Sequence, residues 1–265
     1  MVMSQKQTPI RPLLQWGRFC FAPRFLPAFA TVIGLPILLA LGFWQLERAD
    51  QKRALQEEFL SHTRASALSL AEVAQQPAHY RFYPVRMTGH YDNQHQFLLD
   101  NQTYRGRVGY QVLTPFYQNN DNIPVLINRG WIAMGQDRQH LPPINPVKGD
   151  LTLQGFVKLP PINPLLLSNT AETFTSWPHR IQTINFKNLN QELKVPLHPF
   201  VILLQQDQAT GFVREWRPIN MQPERHVGYA VQWFALAGAL LLYFIIANIR
   251  RVETLKETLN DKDPS

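Results

Sequence analysis

Cysteine is almost missing from these 265 residues: Cys20 is the only one. It lies ahead of the first of two long apolar runs, so the chain between the runs holds no thiol. That excludes a disulfide framework there. It also excludes a zinc or iron–sulfur centre built on clustered cysteines. Cys20 itself is expected to be buried and unreactive. No GxSxG, HExxH, P-loop or GxGxxG pattern occurs. Histidines and aspartates are present, but no spacing fixes a catalytic geometry, so the chain is not expected to be an enzyme. Internal repeats and low-complexity tracts are missing too.

Charge is missing from two windows, Phe25–Leu46 and Val227–Ile249. Each is about 22 residues long, and roughly 20 apolar residues suffice to cross a hydrocarbon core of about 30 Å. A cleaved signal peptide does not fit the first window. Its apolar part is too long, no small-x-small site follows, and Glu47, Arg48, Asp50, Lys52 and Arg53 come next. Acidic residues are missing from positions 1–24, where Lys6, Arg11, Arg18 and Arg24 stand; Arg250, Arg251 and Lys256 follow the second window. Basic flanks favour the cytoplasmic side. The expected topology is therefore two-pass: cytoplasmic tail 1–24, span 25–46, periplasmic domain 47–225, span 227–249 and cytoplasmic tail 250–265. The leading tail is not the Arg- and Ser-rich kind of a transit peptide, which favours a bacterial inner membrane over a mitochondrial one. The net charge of +7 sits partly in these tails, so membrane lipid, not nucleic acid, is the expected partner.

Helix-forming residues continue past the first span, with Arg48, Lys52, Leu55 and Phe59 at helical spacing. Pro36 is expected to kink that helix. Ser69–Gln76 carries a capping-box pattern, Ser69 with Glu72, and is stopped by Pro77. Beyond Tyr80 the pattern turns to strands: Val85–Tyr91, His95–Asp100, Val108–Tyr117, Ile123–Ile132, Leu151–Lys158, Phe200–Gln205 and Phe212–Arg217. Leu141–Pro146 and Leu159–Pro164 read as loops, and Phe186–Val195 as a short helix. The predicted class is a membrane protein, α+β, with two transmembrane helices flanking a mainly antiparallel β domain, an open sheet or a small barrel.

The span ends hold the candidate site. On a helix, His226, Tyr229, Ala230 and Trp233 share one stripe. Two readings stand side by side. One is an interfacial belt, since Tyr and Trp favour headgroup depth. The other is a ligand pocket: an imidazole is a natural axial ligand for haem iron, aromatics pack on a porphyrin, and Arg pairs with propionates. Arg225, Arg217 and Arg48 are the arginines expected at that level. On the first span, Gly42 permits close helix approach, Trp44 lies at the interface, and Gln45 is either a wetted terminus or a partner across the helix pair. Gly34, Gly42, Ala230, Ala237 and Gly238 offer small surfaces for pairing. In the domain, Arg129 beside Trp131 is a candidate partner-binding pair, against a bland role of Trp131 and Tyr110 in the core and of Gly89, Gly109 and Gly130 in turns or bulges.

Several blocks, in order along nearly the whole chain, resemble a known family: Gly42-x-Trp44-Gln45-x-x-Arg48; Gly89-x-Tyr91 with Leu98 and Asp100; Gly109-Tyr110-x-Val112-x-Thr114-Pro115; Asn128-Arg129-Gly130-Trp131; and Arg225-His226-x-x-Tyr229-x-x-Gln232-Trp233-Phe234. Together they are similar to the surfeit locus family of cytochrome c oxidase assembly factors. Residues 142–198 match no block. The resemblance implies two membrane helices around an outer domain and a role in maturing the oxidase catalytic subunit, around haem a insertion. It implicates His226 as the haem iron ligand and maps the first-span tryptophan onto Trp44; the pocket reading of the residues adds Tyr229, Trp233, Arg48 and Arg225 around the macrocycle. Expected partners are the oxidase catalytic subunit and haem a synthase. The rival readings are a membrane-anchored scaffold that binds the oxidase subunit without cofactor, and a sensor or transport accessory protein.

Overall fold

The computed structural model describes residues 14–135, 140–160, 177–216 and 222–251. By its internal contacts the chain divides into two units, one of residues 1–55 with 219–265 and one of residues 56–218.

The first unit is a pair of long helices with a small sheet at one end. Helix α1 spans Phe25–His62 and runs through Pro36 without interruption; helix α4 spans Pro223–Asn248. Both exceed the expected spans. The first continues because nothing after Leu46 breaks a helix. The second starts at Pro223, a residue suited to a first turn, so Arg225 and His226 are helical. Only 11% of each apolar window is buried within the protein. Phe25, Leu26, Phe29, Val32, Leu242 and Ile246 are all exposed. A core helix of a soluble fold would be covered; these faces need lipid.

The helices pair antiparallel through small residues. Gly42 is buried, and a methyl group there would lie 2.5 Å from the Phe234 ring. Phe43 meets the same ring edge-on at 5.3 Å. Further along, Gly34 faces Leu240. Ala49, Ala230 and Ala237 are buried, whereas Gly238 faces open space. The small-residue seam expected from sequence therefore forms without Gly238.

Beyond the helix ends the tails join. Strands β1 (Leu14–Trp16), β2 (Phe19–Phe21) and β11 (Ile249–Arg251) form a sheet in the order β1-β2-β11, with Phe21 opposite Ile249. Asn248, fully buried, fastens the junction: its backbone oxygen accepts from Ala22, its Oδ1 accepts from Arg24 N at 2.8 Å and its Nδ2 donates to Phe244 O. Cys20 is buried here, as expected.

The second unit holds the remaining elements: β3 (Leu68–Ser69), α2 (Leu70–Gln75), β4 (Pro84–Tyr91), β5 (Phe97–Tyr104), β6 (Arg107–Gln118), β7 (Val125–Ala133), β8 (Leu151–Lys158), β9 (His179–Ile181), α3 (Phe186–Leu193) and β10 (Val201–Leu204). The 8-stranded sheet has the order β3-β4-β8-β10-β7-β6-β5-β9. A further β4–β6 pairing closes β4, β8, β10, β7 and β6 into a small barrel. Most pairings are antiparallel; β3–β4, β5–β9 and β7–β10 are parallel. Leu70, Val85, Phe116, Ile127, Val157, Phe200 and Leu204 fill the interior.

Phe212–Arg217 does not form the expected strand. Val213 makes only an isolated bridge to Trp131, and Arg217 lies outside the described residues. The segment is a strap held by its own side chains on backbone carbonyls: Arg214 donates to Gln206 O and Gln208 O, and Trp216 donates to Leu204 O. The expected loop at Leu141–Pro146 carries no helix or strand; the one at Leu159–Pro164 extends beyond the described residues.

Candidate functional site

The first turn of α4 and the end of the apolar part of α1 meet through one hydrogen bond. His226 Nδ1 lies 2.8 Å from Gln45 Oε1. An amide oxygen only accepts, so with Gln45 Oε1 as the partner a neutral imidazole carries its proton on Nδ1 and keeps a lone pair on Nε2. Gln45 is thus the partner across the helix pair, not a wetted terminus. His226 is half-buried; Nε2 makes no hydrogen bond among the described residues.

The other predicted site residues divide. Trp44 and Arg48 pair with each other, the guanidinium 5.6 Å from the indole centroid. Arg48 also donates to Gln51 Oε1 at 3.0 Å. Trp44 is 48% exposed and Tyr229 46%, Trp233 is half-buried and Arg225 exposed. None of these makes a hydrogen bond, ion pair or ring contact with His226 among the described residues. The predicted stripe splits for a helical reason. Ala230, one turn on from His226, faces the partner helix and is buried, while Tyr229 is rotated about 100° from Ala230 and faces outward.

An axially ligated, partly hydrophobic macrocycle is a group these residues could hold. A ligating histidine almost always donates its second ring N–H to an acceptor that fixes tautomer and ring plane, and Gln45 supplies that acceptor. Exposed rings at Trp44 and Tyr229 offer apolar faces. Exposed Arg48 and Arg225 offer cations for carboxylates.

Arg129 and Trp131 require a correction. They are 3% and 9% exposed, so they form no docking surface. The Arg129 guanidinium lies between the Tyr91 and Phe212 rings, at 4.9 and 5.1 Å from their centroids. Its Nε donates to Thr210 O at 3.0 Å, while Nη1 is buried and unpartnered among the described residues. Burial lowers its pKa, Tyr91 opposes that, and nearby Arg214 reinforces it. Trp131 Nε1 donates to Gln102 O. Between the pairs Gln111–Trp131 and Leu113–Asn128 the register slips, placing an extra β7 residue at Arg129–Gly130. Gly130 takes φ +112° there, and a Cβ would strike Val213 O at 2.7 Å. This bulge receives the strap: Phe212 N donates to Arg129 O and Trp131 N to Val213 O, both at 2.7 Å. The bland reading of this block as core and bulge is the one the structure shows.

A model of the SURF1 family matches residues 32–238. The chain belongs to the SURF1 family. Relatives include Surfeit locus protein 1 of Xenopus tropicalis, 24% identical over 235 residues covering 80% of this chain and 73% of that one. The SURF1-like protein of Rickettsia felis is 23% identical over 246 residues, 82% of this chain and 94% of the relative. That of Rickettsia prowazekii is 24% identical over 249 residues, 86% and 95%. The SURF1 match takes in the whole domain, α1 from residue 32 onward and α4 up to residue 238. His226, Gln45 and Trp44 all lie within it.

Proposed function

We propose that this chain is a cytochrome c oxidase assembly factor that holds haem a, on its way to the oxidase catalytic subunit, at the outer face of the inner membrane. Family membership supports the oxidase role. The observation that carries the haem part is the Gln45–His226 bond, which leaves the Nε2 lone pair available at the junction of two lipid-exposed helices. Haem a bears a long isoprenoid tail, and apolar helix faces in lipid suit a cargo that is half membrane-soluble. His226 supplies the nitrogen, Trp44, Tyr229 and Trp233 supply apolar contact, and Arg48 and Arg225 neutralise propionates. A single protein nitrogen as ligand suits a carrier that has to release its cargo.

The topology has its own support. Because β2 pairs with β11 directly beyond the two helix ends, both tails lie at the same end of the helix pair, so a two-pass chain with both tails inside and the domain outside is consistent with the basic flanks.

Titrating haem a into the detergent-solubilised chain and its His226→Ala variant tests the reading. The wild-type chain is expected to give a saturable spectrum of imidazole-ligated haem that the variant lacks. Equal spectra and affinities would remove His226 as the ligand. No haem-dependent absorbance in the wild-type chain would favour a scaffold that contacts the oxidase subunit without cofactor.

A further inference from the structure

Three features invite explanation: the Arg129 guanidinium, which has no carboxylate partner among the described residues, the open cleft around His90 and Asn119–Asn122, and the Gln45–His226 bond. Arg129 is enclosed by the Tyr91 and Phe212 rings, and the cleft is an open one lined by the ends of β4 and β6 and the turn 119–122. The third carries an inference.

We infer that Gln45 is a positioning residue that selects the tautomer of His226 and orients its ring for iron, which rests on the haem reading above. A neutral imidazole has one protonated and one bare nitrogen, and only the bare one ligates. The nitrogen that bears the proton is set by what the other ring edge meets. Among the described residues no group on α4 bonds the ring. Gln45 Oε1, 2.8 Å away, does: it holds the proton on Nδ1 and leaves Nε2 bare. The bond joins two helices, so it also fixes the ring plane against α1. Two contacts hold Gln45 in register for this task, the Gly42–Phe234 approach one turn earlier and the buried Ala49 one turn later. A hydrogen-bond acceptor at Nδ1 raises the basicity of Nε2. Gln45 therefore acts on iron through His226 without touching it.

The test uses the full chain in detergent with Gln45→Leu, which removes the acceptor, and Gln45→Glu, which keeps one. Ring ¹⁵N shifts of His226 in the haem-free protein report the tautomer. Titration with haem a reports affinity, and resonance Raman of the ferrous complex reports the iron–histidine stretch. The wild-type protein is expected to show a protonated Nδ1 and a bare Nε2. Gln45→Leu is expected to lose that preference, to bind haem a about 10- to 100-fold more weakly and to lower the stretch. Gln45→Glu is expected to restore affinity and raise the stretch, which a merely structural contact would not do. A proton on Nε2 in the wild-type chain, with the Gln45 amide donating to Nδ1, would overturn the inference. So would unchanged affinity and stretch in Gln45→Leu, which would leave His226 as ligand. A wild-type chain with the Nδ1 proton in place and no haem binding would overturn the cofactor reading and leave Gln45 as a helix contact.

Discussion

Arg129 illustrates how burial decides a residue's role. A guanidinium removed from water and left without a carboxylate costs free energy unless rings and carbonyls replace the solvent. Tyr91, Phe212 and the Thr210 oxygen do so here. Arg129→Ala should therefore destabilise the β domain by about 2–4 kcal/mol, from the emptied space and the lost bond. Arg129→Met should lose less, since it fills the ring sandwich and removes a buried charge. Chemical denaturation of both variants checks this; a stable Arg129→Ala protein that had lost only oxidase binding would restore the docking reading. His179, buried and stacked on Trp177 at 3.5 Å, gives a pH signature. Burial and then the neighbouring His95 hold its pKa below the ordinary 6.5. Glu192, 4.0 Å away and 38% exposed, does not reverse that direction. The unfolded chain protonates this imidazole near 6.5 while the folded chain does not, so the unfolded state binds more protons and stability falls as pH drops below 6.5. His179→Phe should flatten that slope in urea titrations at a series of pH values; an unchanged slope would exclude His179 as its source.

At the scale of elements, the helix pair depends on Gly42. A larger side chain there meets the Phe234 ring, which is already fixed edge-on by Phe43. Gly42→Leu should part the helices, break the Gln45–His226 bond and weaken haem a binding, and shrinking the opposing ring with Phe234→Ala should recover part of it. Recovery absent in the double variant would mean that the seam does not set the site. Ser69→Ala should cost about 1 kcal/mol, because Ser69 and Glu72 form the reciprocal cap of α2. That cap was readable from four residues of sequence, as were β8, whose bounds agree in full, and the continuation of α1 past the span, which follows from good helix formers. Local signals carry such elements. The strap at 212–216 reads as a strand because its residues alternate, but its side chains bond the carbonyls of 204–208 and its backbone bonds a bulge, which alternation cannot foretell. The burial of Arg129 was equally hidden, since the rings that enclose it come from segments about 40 and 80 residues away. Gln45 was legible as a polar residue out of place; its partner 181 positions on was not.

Over the whole molecule, the pairing of β2 with β11 ties together tails separated by more than 200 residues, a non-local contact that neither short strand signals by itself. It predicts a topology in which both termini share one side. In a Cys20→Ser background, Asn120→Cys in the domain should react with a membrane-impermeant maleimide on intact spheroplasts, and Trp16→Cys only after lysis. Labelling of both from one side would contradict the two-pass arrangement. The SURF1 family match gives the chain its company, and the proposed haem a site rests on two lipid-exposed helices joined at an imidazole. The account is tested most directly by purifying the full chain from membranes that make haem a and measuring bound pigment in the wild-type and His226→Ala proteins. The wild-type protein is expected to carry haem a with the spectrum of a histidine ligand, and the variant to arrive colourless; a colourless wild-type protein, or equal pigment in both, would contradict it.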